Sequence, residues 1–312
     1  MKKIKDWLKR YRRLFMKKVI AKCPGSCGEL IQGFLGQTSK LVSYGVNRYT
    51  TITIEDQVNG NQHDWQPKMK QAAQLTCQYL SIPLEQLNHL NIKKESELPE
   101  AKGLSSSTAD IAATVTALAA YFQKKLPFDL LLQICLEIEA TDSLLFPSLT
   151  LFAQNSGHCQ LSSGWRPKFY VLMLEPSETL VTEEFHGIQT DTLFYEQRHS
   201  FQQVFEVYDQ AVQTQSLSLL GKAATESAKL NQNILKKPKF EQLLELKEEF
   251  PLLGINVAHS GTVVGLMFEH LGLLQPLQTL VRLKGLNHVY PRTTCLTTCY
   301  EGAHLAVNSL ED

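Results

Sequence analysis

The stretch GLSSSTADIAAT, residues 103–114, places three serines and a threonine between a Gly-Leu pair and a long apolar run. Ser106, Ser107 and Thr108 are poor residues for a helix interior, because their hydroxyls compete for backbone hydrogen bonds. At a helix start the same oxygens accept from free N–H groups. One cap would satisfy that need. Three hydroxyls behind a glycine point instead to a site for something outside the chain. The first N–H groups of a helix have no internal partner, and the helix dipole adds partial positive charge there. A phosphate fits that geometry. Serine hydroxyls supply donors to phosphate oxygens and a neutral ligand for Mg²⁺, small residues let the backbone approach, and Lys102 adds a positive charge. The stretch is neither a Walker A loop nor a GxGxxG turn. A multiply capped core helix would explain the same residues without any ligand.

Around this helix start the chain mixes strands and helices without strict alternation, which predicts an α+β fold. Alternating apolar residues predict strands near 19–23 and 41–56, with a turn region around Gly25, Gly28, Gly33 and Gly36. A helix over 64–80 and a strand over 90–96 lead to the serine stretch, whose helix shows Ile111, Val115, Leu118 and Phe122 on one face. A further helix over 128–140 ends at Thr141-Asp142, and Pro147 blocks its continuation. Strands are then expected at 149–153, 158–162 and 168–174, and helices at 196–215, 219–236 and 239–248. Two short strands around a glycine turn follow in INVAHSGTVVGLMFE, residues 255–269, then a helix over 271–282 and a strand at 287–292. This order predicts two lobes, 17–160 and 161–312.

With 312 residues, 43% of them hydrophobic and 20% charged, the chain reads as an ordinary globular protein. Its formal net charge of zero gives the whole molecule no polyanion-seeking character and argues against a nucleic-acid partner. The opening MKKIKDWLKRYRRLFMKK departs from that balance as a short basic amphipathic helix. Residues 1–15 read either as a dispensable leader before Met16 or as an arm for a membrane surface, an acidic partner or a protein shell. No apolar run is long enough for a transmembrane helix. Seven cysteines without a secretion signal predict free thiols and a cytoplasmic setting. Cys23 and Cys27 share a spacing with Cys295 and Cys299, which leaves a four-thiolate zinc site as an alternative to free thiols.

Three stretches together carry a family resemblance: CPGSCGELIQG at 23–33, PEAKGLSSSTA at 99–109 and AHSGTVVGLMF at 258–268. In that order they resemble the three motifs of the GHMP kinases, such as galactokinase, homoserine kinase and mevalonate kinase. The first two are closer still to the L-threonine kinases of cobalamin synthesis. The resemblance implies an N-terminal lobe like ribosomal protein S5 domain 2, a ferredoxin-like C-terminal lobe and an active site between them. It also implies ATP, Mg²⁺ and phosphoryl transfer to the side-chain hydroxyl of L-threonine, giving L-threonine O-3-phosphate for the aminopropanol linker of cobalamin.

Phosphoryl transfer needs charge neutralisation and a positioned nucleophile more than covalent help. By their place in the resemblance, Lys102, Gly103, Leu104, Ser105, Ser106, Ser107 and Thr108 hold the phosphates, with Ser107 also a Mg²⁺ ligand. Asp142 in EATDS resembles the family aspartate at the acceptor hydroxyl, as base or orienting group. Glu139, three residues earlier and so on the same helix face, joins the metal shell. Two acids at a helix C-terminus oppose the dipole, which a purely structural origin does not explain. Glu29 suits the substrate ammonium group or an ordinary surface position. Arg48, beside Asn47, suits a two-pronged grip on the substrate carboxylate or a surface ion pair. Ser260, Gly261 and Thr262 form the third glycine turn, with donors for phosphate or substrate, and His259 before them is either structural or functional. Several family members carry a basic residue after the first Pro-Gly; here that place is Ser26. The competing readings are a kinase for another hydroxylated metabolite such as homoserine, a non-catalytic nucleotide binder and a zinc-thiolate protein.

Overall fold

The computed structural model describes residues 17–56, 66–177 and 190–306. The basic arm at 1–15 and the start of the 64–80 helix, Asp64 and Trp65, lie outside the described residues.

A long hairpin organises the chain. β1 (Lys18–Leu35) and β2 (Thr38–Asp56) pair antiparallel through the two-residue turn Gly36–Gln37. The turn region expected at residues 25–36 is therefore mostly strand. Its proline and glycines are absorbed in β1 as register shifts at Pro24/Gly25, Ser26/Glu29 and Glu29/Ile31. Such bulges bend a strand and re-aim its side chains, and they lie beside the residues expected to carry function.

β3 (Leu90–Ser96) pairs with β2 at the expected place. β4 (Thr150–Phe152) and β5 (Cys159–Ser162) continue the sheet beyond β2 to one edge. β6 (Tyr170–Glu175), β7 (Gly254–Val257), β8 (Val264–Phe268) and β9 (Arg292–Cys299) complete a ring of pairings that runs β1–β7–β8–β6–β9–β2 and back to β1. β10 (His304–Leu305) adds to the outer side of β1. One hydrogen-bonded sheet thus spans both sides of the boundary expected near residue 160. The strand expected at 287–292 is displaced: residues 286–288 form a 3₁₀ turn, and the strand starts at Arg292. Tyr290 decides this, because it is fully buried and donates to the Pro238 carbonyl at 2.6 Å, which takes the chain out of register before the Thr-rich strand begins.

The helices cover this sheet. α1 (Pro67–Tyr79), α2 (Ser106–Tyr121) and α3 (Phe128–Ile138) pack against one another, and α2 also packs on β1 and β2. α2 was expected to bury one face; it is buried nearly all round, from Thr108 to Ala119. Its alanines allow that close approach on several sides. Each of Ile111, Val115 and Leu118 contributes about 1.5–3 kcal/mol by leaving water. α4 (Thr190–Glu196) precedes α5 (Arg198–Thr214) and α6 (Leu217–Asn231), and the last two pack on β1 from the other half of the chain. A second core gathers α7 (Phe240–Glu249) and α8 (Leu274–Leu283) against β6 and β8. Among the described residues no helix is long and apolar enough to cross a membrane.

Candidate functional site

α2 begins in an unusual way. Ser105, the residue before it, takes the left-handed conformation (φ 54°, ψ 31°) and uses no side-chain cap. Its hydroxyl is committed elsewhere: it hydrogen-bonds the Asp142 carboxylate and lies 2.6 Å from the Ser26 hydroxyl. Because the carboxylate takes the Ser105 hydrogen, Ser26 donates to Ser105. The Ser26 backbone N–H also bonds the Leu104 carbonyl at 3.0 Å, which ties β1 to the loop before α2. Ser106 opens the helix with its hydroxyl unpaired among the described residues.

The third glycine stretch docks on this loop. Thr262 and Val263 N–H groups donate to the Lys102 carbonyl at 3.1 and 3.3 Å. Gly103 sits at φ +82°, and a Cβ there would meet the Ala258 Cβ at 2.3 Å. A Cβ on Gly261 would meet the Lys102 carbonyl oxygen at 2.4 Å. Only glycine fits on either side of this contact. The Thr262 hydroxyl is buried beside it with no partner among the described residues, a group waiting for a ligand acceptor.

One end of the site is a cluster of hard oxygens at the start of α2. Ser107 donates to Glu139 Oε2 at 2.8 Å, Thr108 donates to Oε1 at 3.3 Å, and the Lys68 ammonium from α1 pairs with Oε2. The helix expected through residue 140 stops at Ile138, so Glu139 and Asp142 do not share a helix face. Glu139 is extended (φ −161°, ψ 167°). The chain leaves α3 because Thr141 N–H bonds the Gln154 carbonyl at 3.0 Å and the Ser143 hydroxyl receives the Ser43 N–H at 2.8 Å. Asp142 is held between these two anchors. Burial, then the charge of Glu29 and of Glu139, pushes its carboxyl up to about 7, against the lowering effect of the Ser105 hydroxyl.

The other end is built from distant segments. Glu29, 6% exposed in a bulge of β1, accepts the His259 N–H at 2.8 Å and faces His259 Nδ1 at 3.1 Å, both through Oε2. Asn256 on β7 braces the bulge by donating to the Cys27 carbonyl, and Tyr44 donates to Asn256 Oδ1 at 3.0 Å. Lys237 is buried and donates to the Gly261 carbonyl at 2.8 Å; desolvation lowers its ammonium to about 7, which the Glu29 charge opposes.

The structure thus brings Ser105, Ser107, Thr108, Glu139, Asp142 and Glu29 into one region, with the Gly103 and Gly261 backbones beside them. Ser260, partly exposed, shares the Gly261–Thr262 loop. Two expected side chains, those of Lys102 and Leu104, stand apart. Lys102 is 3% exposed with its ammonium on the Pro176 carbonyl at 2.7 Å. Leu104 is a core residue. Arg48 lies with Asn47 in the two-residue bulge of β2 opposite Pro24–Gly25, and its charge reaches the Cys27 thiol. Sequence reasoning missed Lys68 and Lys237, since a lysine in a polar helix turn or in LKKPK carries no signal of its own. The paired cysteines make no thiolate centre: among the described residues no three His, Cys, Asp or Glu side chains gather as a metal site. Along strand β9 a spacing of four separates Cys295 from Cys299 by about 13 Å, far beyond a shared zinc.

Residues 68–144 match the family model for the GHMP kinases N terminal domain. The chain is 40% identical over 250 residues to an L-threonine kinase of Citrobacter freundii, covering 80% of this chain and 86% of that protein. It is 38% identical over 269 residues to an L-threonine kinase of Salmonella typhimurium, covering 85% and 86%. Among solved structures, a homoserine kinase from Cytophaga hutchinsonii superimposes with a TM-score of 0.68 at 13% identity, over 93% of this chain and 98% of that one. Sequence and fold therefore agree with the convergence of the three glycine stretches: the chain belongs to the GHMP kinases.

Proposed function

We propose that this chain transfers the terminal phosphoryl group of ATP to the side-chain hydroxyl of L-threonine, giving L-threonine O-3-phosphate for the aminopropanol linker of cobalamin, in the cytoplasm. The two L-threonine kinases that it resembles over most of their length support the acceptor. The observation that carries the chemistry is Asp142, a carboxyl lifted to about 7 beside the start of α2. A base with that affinity for a proton is matched to neutral pH. On the same footing, residues 17–160 form the ATP-binding lobe, like ribosomal protein S5 domain 2, and 161–312 a ferredoxin-like lobe.

The donor set fits Mg²⁺. The Ser107 hydroxyl and Glu139 carboxylate are hard oxygen ligands 2.8 Å apart, and Mg²⁺ takes one or two such ligands together with water and phosphate oxygens. Bound there, the ion supplies neutralisation of phosphate charge. The remaining work falls to the chain. The free N–H groups at the start of α2, with Ser105, Ser106 and Thr108, surround phosphate oxygens. Lys68, half exposed, exchanges Glu139 for phosphate. Asp142 orients the threonine hydroxyl and accepts its proton, which in a loose transition state leaves late. Glu29 takes the substrate ammonium, Arg48 its carboxylate, and Ser260 and Thr262 donate to substrate or phosphate.

ADP release with Mg²⁺-ATP across L-threonine, D-threonine, L-serine and L-homoserine tests this reading. The highest kcat/KM is expected for L-threonine. A higher value for another acceptor rejects the substrate and keeps the kinase; no acceptor-dependent release rejects both.

A further inference from the structure

We infer that His259 and Ser227 form a relay that positions Glu29 for the substrate ammonium group. The inference rests on the ammonium-binding reading of Glu29 and adds two positioning residues to it. Glu29 Oε2 is fully engaged, by the His259 N–H at 2.8 Å and Nδ1 at 3.1 Å, whereas Oε1 has no hydrogen-bond partner among the described residues. The carboxylate is therefore held by one oxygen and presents the other.

The imidazole state follows from its surroundings. Nδ1 faces two acceptors, Glu29 Oε2 and the Val257 carbonyl at 3.2 Å, so it carries a hydrogen. Nε2 lies 3.1 Å from the Ser227 hydroxyl on α6. That hydroxyl already accepts the Gln32 N–H at 3.1 Å, so its own hydrogen is free to go to Nε2. One neutral tautomer satisfies every bond. The main chain is fixed as well, because Asn231 donates to the His259 carbonyl at 3.3 Å. His259 and Ser227 are each 1% exposed, so neither touches substrate. They act through Glu29.

The need for such a hold is electrostatic. Glu29 and Asp142 repel across the site, and a free carboxylate would rotate away. A cation between them relieves that repulsion, but the two buried lysines beside the Gly103–Gly261 contact are engaged on backbone carbonyls, Lys237 on Gly261 and Lys102 on Pro176. An ammonium group arriving with the substrate fills the role. Held in this way, Glu29 discriminates an amino acid from the same molecule without its amine.

The test compares L-threonine with (R)-3-hydroxybutanoate, which keeps the carboxylate and the hydroxyl and lacks the ammonium. His259→Leu is expected to raise the KM for L-threonine about 10- to 100-fold, the range for a lost hydrogen bond to a charged group. The KM for ATP and the KM for the deaminated analogue should each stay within about twofold, so the preference for threonine collapses. Ser227→Ala is expected to raise the same KM about three- to tenfold, and His259→Asn, whose amide places a donor near Nδ1, to restore most of the preference. If folded His259→Leu and Ser227→Ala keep the preference of the unaltered chain, the relay is overturned. Glu29→Gln separates the two levels: if it also keeps the preference, the ammonium reading of Glu29 falls with it, and if it loses the preference, only the relay fails.

Discussion

The two ends of the site are built in opposite ways. At the phosphate end, Ser105 to Thr108 are consecutive, with the three serines partly exposed and Thr108 buried, and the hydroxyls of Ser105, Ser107 and Thr108 face Asp142 and Glu139 in ways that an entering ligand can replace. At the acceptor end, Glu29, Ser227 and His259 come from β1, α6 and the loop after β7, and all are buried. An anion is held largely by backbone N–H groups, which a short local sequence can set up. Recognising one small amino acid requires side chains at fixed distances, which only the whole fold can supply. Asp142 stands between the ends and belongs to neither.

The largest effect is expected at that junction. Asp142→Asn should lower kcat about 10²- to 10⁴-fold, the usual span for a positioned base, while ATP affinity by calorimetry changes little. The same variant should melt at a higher temperature than the unaltered chain at pH 8. The sign follows from the raised carboxyl: the folded chain binds a proton that the unfolded chain has already lost, so stability falls as pH rises toward about 7. An Asn there removes that cost. Equal kcat in the two proteins would take the chemistry away from Asp142.

A smaller effect tests whether the ends are separable. Ser107→Ala removes a donor to Glu139 and a hydroxyl ligand of the ion. It should raise the KM for Mg²⁺-ATP about tenfold, shift the Mg²⁺ dependence to higher concentration and leave the KM for L-threonine within about twofold. If both KM values rise together, the site is a single unit and the contrast drawn above is lost.

What could be read in the sequence follows the same division. Gly103–Thr108 announced itself because a glycine turn, hydroxyls and an apolar helix are adjacent in the chain. The 90–96 strand and the helices at residues 106 and 128 were legible for the same local reason. The ring of pairings was not: the first strand was expected to stop at residue 23, before a turn region around Gly25, Gly28, Gly33 and Gly36, because a bulge and a turn use the same residues. β9 was placed too early, since the burial of Tyr290 depends on Pro238, more than 50 residues away. The Glu29–His259–Ser227 contacts span about 230 residues, a distance at which no spacing rule operates. The sequence points to Glu29 and to His259 separately, with nothing to pair them, and does not single out Ser227.

The smallest effect concerns Ser26, the residue that follows the first Pro-Gly pair. Its hydroxyl donates to Ser105, and Ser105 in turn donates to Asp142. A hydrogen bond to the ionised form favours that form, so this chain of two hydroxyls draws the Asp142 carboxyl down against burial and two neighbouring acids. Ser26→Ala leaves Ser105 in place but removes the polarising donor behind it. The carboxyl should rise by a fraction of a unit. Because the reaction needs the ionised form, the acid limb of kcat/KM for L-threonine should move to higher pH. At pH 6 the variant should be about two- to threefold slower, and at pH 8.5 it should match the unaltered chain. Ser105→Ala, which removes the direct bond, should move the limb further in the same direction. A limb that stays in place in both variants would mean that the hydroxyls only pack the turn, and that Asp142 is set by Glu29, Glu139 and burial alone.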